Sequence, residues 1–258
     1  MQYLSLPSFK QKKRLASVAD HPLSPGGETY AVLDANALLP PRLSDVLFDL
    51  QQTGIYHPRW TEKIEQEFVL HWGHIVKGLK GAALKAYKAA APHADDEKGV
   101  RQRLRAYRGA VGDEYELLGY DAQHIVQQVP KKVNRGDTHV VAAAILLKTL
   151  LASEGSASDR VFIVSNNTKH LAVTDVAMLG IEVVKPGDFI DMIAQADSVR
   201  MKQALDRTIS ALQNPPYTKS EILGALQLHG ANATVAQLCL TWGVSLPASS
   251  KRKRQPKP

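Results

Sequence analysis

The chain has 258 residues, of which 44% are hydrophobic and 22% are charged, and this composition suits one large globular domain or one domain with additions. Its single cysteine excludes an internal disulfide framework and favours a reducing cytoplasm. Because no uninterrupted apolar run approaches about 18 residues, we expect neither a secretory signal nor a membrane span. The formal net charge of +7, with basic clusters at residues 10–14 and 251–257, suits a polyanion such as RNA or DNA, although basic ends can also serve solubility alone.

Composition and pattern divide the chain into segments. Residues 1–28 look irregular and contain several prolines and a glycine pair, and strand and helix patterns follow as far as residue 196. Beyond that point the pattern is helical only. We therefore predict an irregular N-terminal segment (1–28), an α/β domain (29–196) with a helical insertion at about 73–129, a helical C-terminal region (197–246) and a basic disordered tail (247–258).

Short apolar runs predict the strands of one sheet. They occupy residues 30–33, 55–60, 160–165 and 181–184, and helical patterns lie between them. Uninterrupted apolar runs are typical of strands that are buried on both faces. The alternation predicts an α/β fold with a central parallel sheet of about four to five strands flanked by helices.

Polar side chains stand where several of these elements end or begin. Asp34 follows the first strand, Asn167 follows the strand at 160–165, and Asp137 opens an apolar helix. Because ligands of open parallel sheets bind beyond the carboxyl ends of the strands, these side chains are candidates for one shared site. The alternative is that the two aspartates serve only as turn or helix-capping residues.

A further carboxylate, Glu67, lies beside an apolar helical stripe formed by Ile64, Phe68 and Trp72. Taken alone, a glutamate at that position is more often a surface residue than part of a site. Together with the two aspartates, however, it offers the oxygen ligands that a hard cation such as Mg²⁺ or Mn²⁺ prefers. Ions of this kind promote phosphodiester hydrolysis, because they activate a water molecule and stabilise charge on the phosphoryl oxygens.

Several stretches resemble PIN-domain ribonucleases, in particular a bacterial branch that opens with DAxVLYP. Residues 34–40 (DANALLP) resemble that opening, residues 59–68 (RWTEKIEQEF) resemble the segment with the second acid, and residues 137–144 (DTHVVAAA) resemble the segment with the third. Residues 165–167 (SNN) are similar to the strand-end segment that carries the fourth polar residue. The resemblance spans about residues 29–195, with a long insertion between the second and third acids.

This resemblance implies a metal-dependent endoribonuclease with four catalytic residues, which are Asp34, Glu67, Asp137 and Asn167. The ligands of a Mg²⁺ or Mn²⁺ ion would be Asp34, Asp137 and Glu67, whereas Glu65 is rejected as the second acid. Ser165 and Asn36 would support the ligands by hydrogen bonding. Basic residues close to the acids in sequence are expected to hold flanking phosphates of the RNA, namely Arg59, Lys131, Lys132 and Arg135.

The sequence also departs from that branch. Asn134 and Gly136 occupy a stretch where the branch often has extra acids, and residue 167 is a neutral asparagine. The named residues therefore supply three formal negative charges, and a second ion would bind only together with the substrate phosphate, unless Asp175 or Asp121 contributes.

Many proteins that resemble this branch are VapC-type toxins of type II toxin–antitoxin pairs. The resemblance therefore implies a cytoplasmic toxin with an RNA substrate and a small antitoxin partner, and it allows a homodimer. Three alternatives are an RNA-processing nuclease, a nucleic-acid-binding protein that does not cleave, and a phosphotransferase of the haloacid-dehalogenase type. The last needs a second acid two residues after Asp34, where this chain has Asn36.

Overall fold

The computed structural model describes residue 23 and residues 26–79, 81–89, 94–156, 158–211, 216 and 218–245. Most of the predicted N-terminal segment and all of the basic tail lie outside these residues. The described residues form four strands, which are β1 (Thr29–Leu33), β2 (His57–Arg59), β3 (Arg160–Val164) and β4 (Ile181–Val184). These make one all-parallel sheet in the order β2-β1-β3-β4, which confirms the predicted fold class and is consistent with a PIN-like fold.

The central strands β1 and β3 end level with each other. Leu33 pairs with Val164, and both side chains are fully buried. The pairing continues one residue further, because the backbone N–H of Asp34 donates to the carbonyl of Val164 at 3.1 Å. The residues that follow the two strands, Asp34 and Ser165, are therefore neighbours at the carboxyl edge of the sheet.

Helices flank this sheet. In the α/β part the described helices are α1 (Ala35–Leu38), α2 (Pro41–Gln52), α3 (Glu62–Val76), α4 (Gly81–Ala89), α5 (Ala94–Val111), α6 (Gln123–Val126), α7 (Thr138–Ser153), α8 (Val173–Ala177) and α9 (Pro186–Ala196). They are followed by α10 (Ser198–Ala211), α11 (Lys219–Leu228) and α12 (Asn232–Trp242). Thr61 caps α3, and Thr218 and Glu221 form the predicted capping box of α11.

Helix α7 is the central helix of the domain. It packs against β1, β3 and β4, and every side chain from Val140 to Leu147 is buried. Residues Arg135–Ser153 are the one described helical stretch that is long and apolar enough to cross a membrane, and half of that stretch is buried inside the structure. Packing against three strands accounts for its apolar composition as a core helix.

The insertion is joined to the edge of the sheet at Trp60. The backbone N–H of Trp60 donates to the Tyr115 carbonyl at 2.9 Å, and Leu117 donates back to the Trp60 carbonyl at 3.0 Å. The Trp60 ring stacks on Tyr115 with centroids 4.5 Å apart. This short parallel pairing extends the sheet beyond β2, so the outer edge of β2 is covered by the segment that follows α5.

The C-terminal helices pack against α2 and α9. Asp191 on α9 accepts hydrogen bonds from the backbone of Ala233 and Thr234, at 3.0 and 2.8 Å, and thereby holds the start of α12. Gly187 lies so close to the turn between α11 and α12 that a Cβ at this position would be 2.3 Å from the His229 carbonyl oxygen. Close backbone packing therefore attaches the α11–α12 pair to the α/β domain.

Candidate active site

Asp34 is buried at the carboxyl end of β1, with 3% of its surface exposed. Ser165 Oγ donates to Asp34 Oδ2 at 2.6 Å, and the Asn36 amide donates to the same oxygen. Burial is the largest cause of a raised Asp34 pKa; the hydrogen bond from Ser165 opposes the rise, and the negative charge of Asp137 adds to it. The carboxylate is therefore held in place by two neutral donors in a partly dehydrated position.

Asn36 and Ser165 organise the loop that follows β3. Asn36 Oδ1 accepts the backbone N–H of Asn166 at 2.7 Å, while its Nδ2 lies 3.1 Å from Ser165 Oγ. Ser165 Oγ in turn accepts the backbone N–H of Asn167 at 2.9 Å. The two residues thus connect the ends of β1 and β3, and both hydrogen-bond Asp34.

Asn167 connects this network to Asp137. Its Nδ2 donates to Asp137 Oδ1 at 3.0 Å, so hydrogen bonds run without a break from Asp34 through Ser165 and Asn167 to Asp137. Asp34 and Asp137 each occupy the position before a helix, yet neither side chain makes an N-cap hydrogen bond. Helix capping therefore does not explain either carboxylate.

Glu67 on α3 faces the two aspartates. Its pKa is raised from an ordinary value near 4.5 to about 7, chiefly by burial and then by the negative charge of Asp34, with a smaller contribution from Asp137; Lys63 opposes the rise. Like-charge repulsion of this kind requires proximity. Glu67, on α3, is therefore within electrostatic range of Asp34, which follows β1, and of Asp137, which precedes α7.

Glu65 has a different environment from Glu67. It is buried beneath Arg108, which contacts both of its carboxylate oxygens, and it accepts the Trp60 indole N–H at 2.9 Å. By contrast, none of the three clustered carboxylates is ion-paired with a lysine or an arginine within the described residues. Glu65 is a structural residue that joins α3 to α5.

Two histidines contact the acids, and sequence reasoning assigned neither of them a role. His139 Nε2 lies 3.5 Å from Glu67 Oε1 without forming a hydrogen bond, and burial is the main reason that its pKa is lowered. His170 Nδ1 lies 3.7 Å from Asp137 Oδ2. His139 belongs to the DTH segment and His170 follows Asn167 by three residues, so only these weak positional signals pointed to them.

The basic residues expected to hold RNA phosphates have contrasting environments. Arg59 is 3% exposed, lies over the Tyr30 ring and hydrogen-bonds the Pro58 carbonyl, so its guanidinium does not reach solvent as that role requires. Lys131 and Arg135 are exposed in the turn that leads to α7. Lys132 is also exposed, and it is paired with Asp175 at 3.1 Å.

The donor set suits a hard divalent cation. Within the described chain, no three histidine, cysteine, aspartate or glutamate side chains are arranged as a ready metal-binding group. Mg²⁺, however, is commonly held by one or two carboxylates together with water and substrate oxygens. Asp34 and Asp137 supply two such carboxylates, and neither is ion-paired with a lysine or an arginine among the described residues.

No protein-family model matches this chain, and no curated protein matches it in sequence.

Proposed function

We propose that this protein is a metal-dependent endoribonuclease that hydrolyses RNA phosphodiester bonds with Mg²⁺ or Mn²⁺. The observation that carries the proposal is the hydrogen-bonded series from Asp34 to Asp137, with Glu67 close enough for the charges of both aspartates to raise its pKa. Carboxylates that approach one another without lysine or arginine partners raise the free energy of the folded protein, and a bound divalent cation relieves that cost.

Asp34 and Asp137 would hold the cation, and Glu67 would add a third negative charge beside it. A divalent cation bound there would supply positive charge to the phosphoryl oxygens and lower the pKa of the attacking water. Ser165 and Asn36 keep the Asp34 carboxylate in one orientation, and Asn167 does the same for Asp137. The water oxygen attacks phosphorus in line, and the bond from phosphorus to the 3′ oxygen breaks.

The net charge of +7 supports RNA as the substrate, because a cationic protein attracts a polyphosphate chain. The resemblance to VapC-type toxins supports a cytoplasmic toxin that a small antitoxin protein neutralises, and it supports a homodimer. A small gene beside the one for this protein, whose product binds the chain and blocks cleavage, distinguishes a toxin from an RNA-processing nuclease.

The test of the proposal is RNA cleavage by the purified full chain. We expect degradation of single-stranded RNA with Mg²⁺ or Mn²⁺, no degradation in EDTA, and a loss of at least about 100-fold for Asp34→Asn. Asp206→Asn is a matched control, because Asp206 is half exposed on α10, where it pairs with Lys202. Equal cleavage by wild type and Asp34→Asn would reject the assignment.

A protein that binds nucleic acid without cleaving it is the second candidate. It is favoured by the neutral Asn167 in the fourth position and by the lack of a three-ligand group among the described residues. This candidate predicts that the wild type binds RNA equally well with and without Mn²⁺ and leaves it intact.

A further inference from the structure

His170 lies on the loop after β3, where it contacts the loop that precedes α7. Its backbone carbonyl accepts the N–H of Asn134 at 2.9 Å, and its Nδ1 lies 3.2 Å from Asn134 Nδ2. The first loop carries Asn167 and the second carries Asp137, so the contact between His170 and Asn134 joins the two loops of the acid cluster.

The hydrogen bonds of Asn134 determine which nitrogen of His170 carries the proton. Asn134 Oδ1 accepts the backbone N–H of Gly136 at 3.1 Å, and this fixes the orientation of the amide. Its Nδ2 must then donate to His170 Nδ1, so in the neutral imidazole the proton is on Nε2. Nε2 makes no hydrogen bond to any described residue, and half of the side chain is exposed.

The contact between the two loops does not by itself require a histidine at position 170. His170 contacts Asn134 through its Nδ1 and its backbone carbonyl. An asparagine at position 170 could place its side-chain oxygen where Nδ1 now lies and make the same contacts. The additional feature of histidine is a second nitrogen that carries a donor on the solvent side of the ring. The same ring lies beside Asp137, with Nδ1 3.7 Å from Asp137 Oδ2, and Asp137 is a carboxylate at which the proposed function brings a phosphate.

We propose that His170 is a substrate-binding residue, whose Nε2–H donates a hydrogen bond to a phosphate oxygen of the RNA strand next to the carboxylate cluster. This inference rests on the proposed function for the identity of the ligand. Nε2–H can bind a phosphate oxygen while Nδ1 remains bonded to Asn134. The exposed Lys169, the preceding residue in sequence, adds a positive charge to the same loop.

Two substitutions separate binding of the phosphate from joining of the loops. His170→Asn keeps a group at the Nδ1 position and removes the outer donor, whereas His170→Gln places an amide N–H close to the Nε2 position. We expect His170→Asn to raise the KM for RNA about tenfold while kcat stays within about threefold. His170→Gln should recover most of the affinity, and both variants should unfold close to the wild-type temperature.

The same variants are compared by fluorescence anisotropy with a fluorescein-labelled single-stranded RNA in EDTA. This measurement does not depend on cleavage, so a wild type that binds but does not cut rejects the proposed function and leaves the role of His170 open to test. Weaker binding by His170→Asn than by His170→Gln supports the proposal. Equal binding by the two variants, whether at the wild-type level or below it, overturns it.

Discussion

Ser165 and Asp34 follow adjacent parallel strands, and the Ser165 hydroxyl donates to the Asp34 carboxylate at 2.6 Å across the end of the sheet. Both side chains are buried. The bond offsets part of the cost of burying a carboxylate, because it lowers the Asp34 pKa against the effect of dehydration. The bond also fixes the orientation of the Asp34 carboxylate, because it holds Oδ2 against Ser165 at the end of β3.

Removing this hydroxyl should weaken the cation site without unfolding the domain. Ser165→Ala leaves Asn36 as a donor to the carboxylate, so the Asp34 pKa should rise further and Mg²⁺ should bind about 10-fold to 100-fold more weakly. The measurement is the Mg²⁺ concentration that gives half-maximal RNA cleavage. Ser153→Ala, which removes an exposed hydroxyl near the end of α7, is the control and should leave that concentration unchanged.

Glu67 should destabilise the protein at neutral and alkaline pH when no cation is bound. Because its folded-state pKa is about 7 and its ordinary value is near 4.5, ionisation of Glu67 opposes folding increasingly as the pH rises through that window. We expect Glu67→Gln to stabilise the protein by about 2 kcal/mol at pH 8 in EDTA and to have no effect below about pH 4.5. Thermal unfolding across this pH range measures the difference.

The same substitution should reduce the response to metal. Saturating Mg²⁺ should raise the unfolding temperature of the wild type more than that of Glu67→Gln, because the wild-type carboxylate gains a counter-ion. If the unfolding temperature of Glu67→Gln at pH 8 in EDTA equals that of the wild type or lies below it, the three carboxylates do not repel one another as proposed.

Glu65 and Glu67 form a matched pair on one helix with opposite expected effects. Glu65→Ala removes the partner of Arg108 and leaves the buried Trp60 indole without its acceptor, which should cost about 2 kcal/mol. Glu67→Ala should retain stability and lose RNA cleavage. The experiment compares the unfolding free energy and the specific activity of the two variants. If Glu65→Ala stays stable and loses activity, the assignment of Glu67 to the active site and of Glu65 to structure is wrong.

Gly187 tests the attachment of the C-terminal helices. Gly187→Ala would place a Cβ against the backbone of His229 and Gly230, and this overpacking should destabilise the protein by about 2 kcal/mol. Gly109→Ala on α5 is the control, because a Cβ there meets no atom within 4 Å and should stabilise the helix by about 0.5 kcal/mol. Limited proteolysis should cut the α11–α12 pair faster in Gly187→Ala and at the wild-type rate in the control.

Local sequence pattern was sufficient for the strands, because β1 and β3 are uninterrupted apolar runs and the helices between them have clear periodicity. It also made Asp34 and Asn167 candidates for one shared site, since the carboxyl ends of parallel strands meet at one edge. The choice of Glu67 over Glu65 depended on resemblance. Its structural reason, the contact between Glu65 and Arg108, joins residues 43 positions apart and has no local signature.

Two features could not be read from the local sequence for the same reason. Arg59 was expected to reach the RNA, but the Tyr115 segment covers the edge beyond β2, and the guanidinium lies over Tyr30 instead. His170 depends on Asn134, which lies 36 residues earlier. In both cases a tertiary contact with a distant loop determines the environment of the side chain.

Calorimetric titration of Mn²⁺ into the full chain tests the cation site most directly. The account predicts that the wild type binds Mn²⁺ with a dissociation constant below about 1 mM and that Asp34→Asn binds it at least about tenfold more weakly. A wild type that takes up no ion at millimolar concentration, yet still binds RNA, would contradict it.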